Sequence, residues 1–212
     1  TAYRRQRQMC IRDRSYTRTG ITVLKDKQIY RMKSLDFREC KNNTEKRLEL
    51  YTYIEMLLKR PLKKYVEQKK VKIITERIRL HSQGFLSEAY IKSTGALVAT
   101  IIDVANIYEI PVYSVDTRFW KSQIVGSSKP LENPYGIDPK KYRTILYMRS
   151  RGLLKYIVEE YKGKGTKGVI QVKINGQKVP CKVNDDLADS YCIAMCGYYL
   201  PKSKQKFKEE KF

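Results

Sequence analysis

A single histidine, His81, occurs in the 212 residues. That scarcity argues against zinc sites built on His/Cys clusters and against His-based catalytic triads. Cysteine is sparse and odd in number: Cys10, Cys40, Cys181, Cys192 and Cys196. Five dispersed thiols do not make a disulfide scaffold. Cys192 and Cys196, four apart on an apolar stretch, read as small buried residues in a reducing compartment. No apolar run approaches the ~20 residues that cross a bilayer. There is no long amphipathic stretch with a basic face and no lipidation motif, so no membrane partner is expected. Acid is the scarce charge: 22 Asp+Glu stand against 44 Lys+Arg, a formal net charge of +22. Such a surplus implies a polyanionic partner, of which nucleic acid is the commonest. The hydrophobic fraction, 42%, is that of a globular protein, and the length suits one domain with a real core.

The few acids are unevenly spread. Residues 184–194, NDDLADSYCIA, gather Asp185, Asp186 and Asp189 at the start of an apolar stretch. Acidic side chains suit the first turn of a helix, where unpaired amides and the macrodipole favour negative charge. The spacing allows a second reading. Asp186 and Asp189 are i,i+3 neighbours, and Asp185 and Asp189 are i,i+4 neighbours, so they can share one helix face. Leu187, Tyr191, Ala194 and Tyr198 would form the buried stripe on another. Carboxylates held side by side repel unless a cation lies between them, and hard divalent ions such as Mg2+ favour such oxygen ligands.

Along the chain, residues 1–14 lack apolar periodicity, and "MCIRDR" reads as a translated adapter fragment, so this segment is expected to be artefactual or disordered, with Asp13 placed at the end of a remnant first strand. Residues 20–37 read as a hairpin turning at Lys25-Asp26-Lys27. Residues 42–44 offer an N-cap to a helix carrying Leu50, Ile54, Leu57 and Leu58, interrupted near Pro61. "VKIITE", residues 71–76, is a β-branched strand ending on Glu76. Residues 81–90 form a loop around Gly84. Leu97, Ile101, Val104 and Tyr108 have the spacing of a core-facing helix. "PVYSV" is a short buried strand, and "RFWKSQIVG" a short helix stopped by Gly126. A Pro/Gly/Ser-rich loop precedes a basic helix that starts at Lys140-Lys141 and is broken at Gly152. "GKGTKG" is a flexible basic link. Asn175-Gly176 marks the turn of a second hairpin over residues 168–183. The acidic helix follows, and residues 201–212 form a frayed basic tail. The order is that of an α/β domain with a mixed sheet.

Glu76 ends a strand, and in open α/β sheets ligand sites gather beyond the carboxyl ends of strands. The ordered set is Asp13, a hairpin opening at Gly20, a strand ending in Glu76, and a late helix opening with Asp186 and Asp189. Here the chain resembles a family. "DRSYTRTG" resembles the D-x-G-x-x-x-T-G opening of RuvC-type Holliday-junction resolvases, with Ser15 where Gly is usual. "VKIITER" is similar to their second acidic strand end. "VYSVDTRFWKSQIVG" resembles their segment with a basic residue, a short helix and a glycine, and "DDLADSYCIA" their closing D-x-x-D-A helix. The resemblance runs over residues 13–200 and is strongest to the phage and poxvirus branch. The hairpin at 168–183 departs from the shorter cellular pattern.

The resemblance implies an RNase H-like fold, a five-stranded mixed sheet flanked by helices with the hairpin inserted, acting as a homodimer on branched DNA, the four-way junction. It implies that Asp13, Glu76, Asp186 and Asp189 hold two Mg2+ ions, with Mn2+ able to substitute, for in-line phosphodiester hydrolysis. Lys121 would lie near that pocket and contact the scissile phosphate, or be an ordinary solvated lysine. Lys140 or Lys141 is a second candidate. Lys129, Lys140, Lys141 and Arg143 are expected DNA contacts. Phe85 is the candidate wedge at the junction centre, and Trp120 reads as core. The leading expectation is a structure-selective endonuclease making paired symmetric nicks in recombination or phage DNA processing. A broader branched-DNA or replication-fork nuclease, a junction-binding protein that does not cleave, and a ribonuclease H remain alternatives. The expected location is cytoplasmic, in a bacterial host if the gene is a phage's.

Overall fold

The computed structural model of the chain describes residues 7–12, 17–77, 88–174, 176–198 and 207–210. Asp13, His81 and Phe85 lie outside the described residues. In chain order the strands are β1 (Arg7–Arg12), β2 (Arg18–Lys25), β3 (Gln28–Asp36), β4 (Val71–Glu76), β5 (Val112–Val115), β6 (Val158–Glu160), β7 (Val169–Ile174), β8 (Gln177–Val183) and β9 (Phe207–Glu210). The helices are α1 (Asn43–Lys59), α2 (Lys63–Glu67), α3 (Glu88–Ile107), α4 (Thr117–Val125), α5 (Pro139–Ser150) and α6 (Asp185–Cys196).

The main sheet has the order β3-β2-β1-β4-β5-β9. The first three strands are antiparallel, β1, β4 and β5 run parallel, and β9 is antiparallel to β5. The sheet therefore has six strands among the described residues, where five were expected. The sixth comes from the C-terminal segment read as a frayed tail: Phe207–Glu210 pairs with Val112–Val115 and covers what would be a bare strand edge. Arg7–Arg12 is likewise not disordered. It is β1, hydrogen-bonded to β2 on one side and β4 on the other.

Local signals account for most boundaries. The β2–β3 hairpin turns at Asp26 and Lys27, both with positive φ (52° and 66°), as a two-residue hairpin turn requires. Asn42 caps α1 by accepting from Glu45 N at 2.9 Å. Gly126, in the left-handed region at φ 80°, ends α4. The basic helix breaks where it was read to, but no α-helix resumes beyond the break. It stops at Ser150, and residues 154–156 form a single 3₁₀ turn before β6. Gly152 at φ 68° breaks it. Val158 then pairs with Val183, so β6 joins β8 and β7 in a separate antiparallel sheet.

Strand alternation splits the core into two layers. Ile21, Val23, Val71 and Ile73 pack against Leu50, Ile54 and Leu57 of α1 and Leu97, Ile101 and Val104 of α3. The α3 stripe is thus core. Leu24 and Ile74 face the other way, into a layer with Trp120, Ile145, Met148 and the residues of α6. α6 was expected to bury one stripe. It is buried nearly all round, from Asp186 to Ala194, because the sheet lies beneath it and α4 and α5 lie against it. Cys192 and Cys196 are buried there as read, and burial pushes the Cys196 thiol up to about 12.

Three contacts hold α6 to the sheet. At its first turn the carbonyl of Asp186 lies over Gly20. At mid-helix Ser190 Oγ and Thr22 Oγ1 share a buried hydrogen bond of 2.6 Å. At its far end Lys72 Nζ donates to Gly197 O at 3.1 Å. Gly20 and Thr22 alternate on β2, and Lys72, Ile74 and Glu76 alternate on β4, so all of them face this helix layer. Lys72 also places a cation at the negative end of the helix dipole.

Burial lowers the Lys72 amine to about 8, against ~10.4 in the unfolded chain. Between those values the unfolded chain binds the proton more tightly, so stability rises with pH. Lys72→Met should flatten the rise in unfolding free energy from pH 8 to 10 by about 2 kcal/mol, measured by urea titration at each pH. An identical pH dependence in both proteins would contradict a buried, titrating Lys72.

Candidate functional site

The strand register brings the acids to one end of the sheet. Arg12, the last residue of β1, pairs with Gly20 of β2, and its neighbour Ile11 pairs with Thr75 of β4. Gly20, the end of β1 and Glu76 therefore lie side by side at the carboxyl end of the parallel strands. The first turn of α6 is set down on this edge. A Cβ built on Gly20 would come within 2.3 Å of the Asp186 carbonyl oxygen and 3.1 Å of Leu187 N. These are backbone atoms that cannot step aside, so the helix start reaches this depth only over glycine.

Each acid is fixed by different neighbours. Glu76 is 3% exposed. Its Oε1 accepts from Thr117 Oγ1 at 2.6 Å and from Trp120 Nε1 at 3.1 Å, both on α4. Trp120 is core, as read, and it also orients a carboxylate. Asn184, not an acid, caps α6 by accepting from Leu187 N at 3.2 Å. The capping reading of the cluster therefore does not explain Asp186 and Asp189, which are 7% and 1% exposed inside the protein. Asp185 is at the rim and forms an ion pair with Lys141.

Cations border this end. Lys121 is not a solvated surface lysine: it is buried, its Nζ donates to Lys140 O at 2.7 Å, and it lies 5.4 Å from the centre of the Trp120 ring. Lys121 thereby ties α4 to the first turn of α5, whose cap is Asp138 accepting from Lys140 N at 2.9 Å. Of the two undecided lysines, Lys141 reaches the acidic helix, while Lys140 is exposed. Farther out, Arg143 Nε donates to Lys129 O at 2.9 Å, drawing those two basic residues together. At the entrance to β2, Asp36 is bracketed by Arg38 and Arg18, which hold its carboxyl well below the usual carboxylate range.

The fold has known counterparts. The chain has the fold of RuvC. A solved structure of Thermus thermophilus RuvC matches it with a TM-score of 0.57 and 13% identity, covering 97% of this chain and 100% of that one. T. thermophilus RuvC in complex with Holliday junction substrate matches at 0.55 and 11% identity, over 97% and 99%. No family profile and no curated protein sequence matches the chain. In this RuvC fold the carboxylates of Glu76, Asp186 and Asp189 are hard oxygen donors of the kind a divalent cation takes. Among the described residues, however, no group of three or more His, Cys, Asp or Glu side chains is placed to hold a metal ion. A complete donor set would need a further acid, and Asp13, the expected one, lies outside the described residues.

Sequence reasoning did not find Thr117 or Lys72 as parts of this framework, and it marked Gly20 without its contact to Asp186. Gly20 carried a signal, since it stands in the "TRTG" stretch, but its partner lies 166 residues away. Gly20→Ala should destabilise the protein by about 2 kcal/mol, in the range of overpacking changes, and lift α6 from the sheet. Thermal unfolding measures the first effect, and faster amide exchange in residues 186–190 the second. A variant with unchanged melting and exchange would show that the close approach carries no strain.

Proposed function

We propose that this protein is a structure-selective DNA endonuclease that nicks four-way junctions in symmetric pairs. The observation that carries this reading is the burial of Glu76, Asp186 and Asp189 in a chain of net charge +22. Burying ionised carboxylates is costly unless cations compensate them. A fold that accepts that cost at the carboxyl end of its parallel strands has a use for the charge. The fold shared with RuvC supports the substrate, since one RuvC structure holds a Holliday junction.

In this reading Asp13, Glu76, Asp186 and Asp189 hold two divalent ions, Mg2+ or Mn2+. Held there, the ions would supply an activated water and stabilisation of the leaving oxygen for phosphodiester hydrolysis. The chain's own residues set the stage. Thr117 and Trp120 fix the Glu76 carboxylate. Gly20 and Thr22 set the height of Asp186 and Asp189 over the sheet. Lys121 and Lys141 line the acidic end with positive charge, which favours an approaching phosphate. Lys129, Lys140 and Arg143 contact the DNA backbone, and Phe85 acts at the junction centre. Two copies related by a twofold place two such sites on opposing strands, matching the pseudo-twofold of the junction. Among the described residues no helix is long and apolar enough to cross a membrane.

A second reading has one observation in its favour. Because the described residues alone form no three-ligand metal group, a junction-binding protein that does not cleave also fits. Single-turnover nicking of a synthetic four-way junction in Mg2+, beside a gel shift in Ca2+, separates the two. Asp186→Asn and Asp189→Asn should each lower nicking by more than the roughly 100-fold typical of losing an outer partner of a metal ligand. Junction binding in Ca2+ should stay within a few-fold. Near-normal nicking by both variants would overturn the metal-ligand assignment, and a parent protein that binds but never nicks would establish the second reading.

A further inference from the structure

The antiparallel sheet β6-β8-β7 plays no part in the acidic site, yet it runs straight into it. β8 ends at Val183, Asn184 follows, and α6 begins at Asp185. The backbone of Asn184 donates to Ile157 O at 2.7 Å, and its side chain caps α6, so the sheet and the helix start are one rigid join.

The two faces of this sheet differ sharply. Cross-strand pairs place Val158, Val183, Ile170, Cys181, Val172 and Val179 on one face. Val158 and Val183 pack on the core around α6, and Ile170 and Cys181 are buried, so this face turns inward. The other face presents Lys173 directly opposite Lys178, Gln171 opposite Pro180, and Lys182. All five are exposed. Glu159, paired with Lys182, is the acid on that face.

Cross-strand like charges are unfavourable, so the Lys173–Lys178 pair is not there to stabilise the ribbon. The loop from β6 to β7 adds exposed Lys162, Lys164 and Lys167. Residues 158–183 thus carry six lysines against two glutamates. The loop, read from sequence as a flexible link, is pinned. Tyr161 N donates to Pro180 O at 2.9 Å, Gly165 N to Tyr161 Oη at 3.1 Å, and Gly168 N to Tyr135 O at 2.7 Å. Gly163 lets the chain close over the Tyr161 ring, where a Cβ would sit 2.4 Å from the hydroxyl. The backbone that carries these lysines is therefore held in place.

We infer that the outer face of this second sheet is a docking surface for the phosphate backbone of a duplex DNA arm, with Lys173, Lys178 and Lys182 as its principal contacts. This rests on the nuclease reading for the identity of the DNA, a branched molecule whose arm leaves the acidic site. Lysines are mobile point charges without the fork that reads base edges, so the surface reads backbone, not sequence. Beyond β6 the β7–β8 pair is a two-stranded ribbon, an element that a major groove admits. Lys178 and Lys182 are about 13 Å apart along β8 at ~3.3 Å per residue, long enough to meet more than one phosphate.

The test compares the parent protein with Lys173→Gln/Lys178→Gln/Lys182→Gln. A control, Lys63→Gln/Lys64→Gln/Lys69→Gln, removes equal charge from the α2 region. Binding to a four-way junction is measured in Ca2+ across a salt series. The sheet variant should reduce the slope of log K against log salt by up to about 2.7, at ~0.9 per phosphate contact, with an affinity loss on the order of tenfold. The control should keep the parent slope, and Lys→Arg at the three sheet positions should restore it. A parent-like slope in the sheet variant, or an equal loss in the control, would overturn the inference. Because the readout is binding without cleavage, absence of nicking by the parent in Mg2+ would count against the nuclease reading alone.

Discussion

The approach of the α6 backbone to β2 at Gly20 is the constraint on which the rest depends. A helix usually stands off a sheet by the thickness of its side chains. Here the first turn meets the strand with no side chain between, and Asp186 and Asp189 are carried below the protein surface. Ser190 on Thr22 and Gly197 on Lys72 then fix the helix along its length, so neither its rotation nor its slide is free. The acids are thereby placed by main chain and core rather than by a loop, which is how a site is kept to narrow tolerances.

Charge is strongly separated in this protein. The protein is basic almost throughout, and its surface repels itself as well as attracting polyanions. Against this the buried acids form one small region of opposite sign. The lysines nearest to it are engaged with structure: Lys141 with Asp185, and Lys121 with the Lys140 carbonyl. These cations hold α4, α5 and α6 in register around the acidic end.

The second sheet extends that logic. Its inward face completes the core beside α6, and its outward face is lysine-rich, so one element serves packing and charge display through the alternation of a β-strand. It is joined to α6 through Asn184, which bonds to Ile157 O and caps the helix. The loop between β6 and β7 is fixed by Tyr161 and Tyr135 rather than by buried apolar contacts, which suits a segment rich in glycine and lysine.

Much was legible in the residues themselves. The β2–β3 hairpin, the strand ending at Glu76, the cap at Asn42, the stop at Gly126 and the acidic start of α6 all follow from rules that act within a few residues: alternation, capping and left-handed glycine. The clustering of Asp185, Asp186 and Asp189 at one helix start was visible in the sequence as well, because carboxylates are scarce in so basic a chain. Other features were decided only in three dimensions. The pairing of β9 with β5 depends on a strand edge nearly 100 residues earlier. β6 lies in a stretch whose composition suits a helix, and it is a strand because Val183 is there to pair with Val158. The hold of Trp120 on Glu76, the burial of Lys121 and the need for glycine at position 20 all depend on atoms brought together from distant parts of the chain. Local propensity is an energy of neighbours in sequence, whereas these contacts are energies of neighbours in space, which exist only once the helix layer has closed on the sheet.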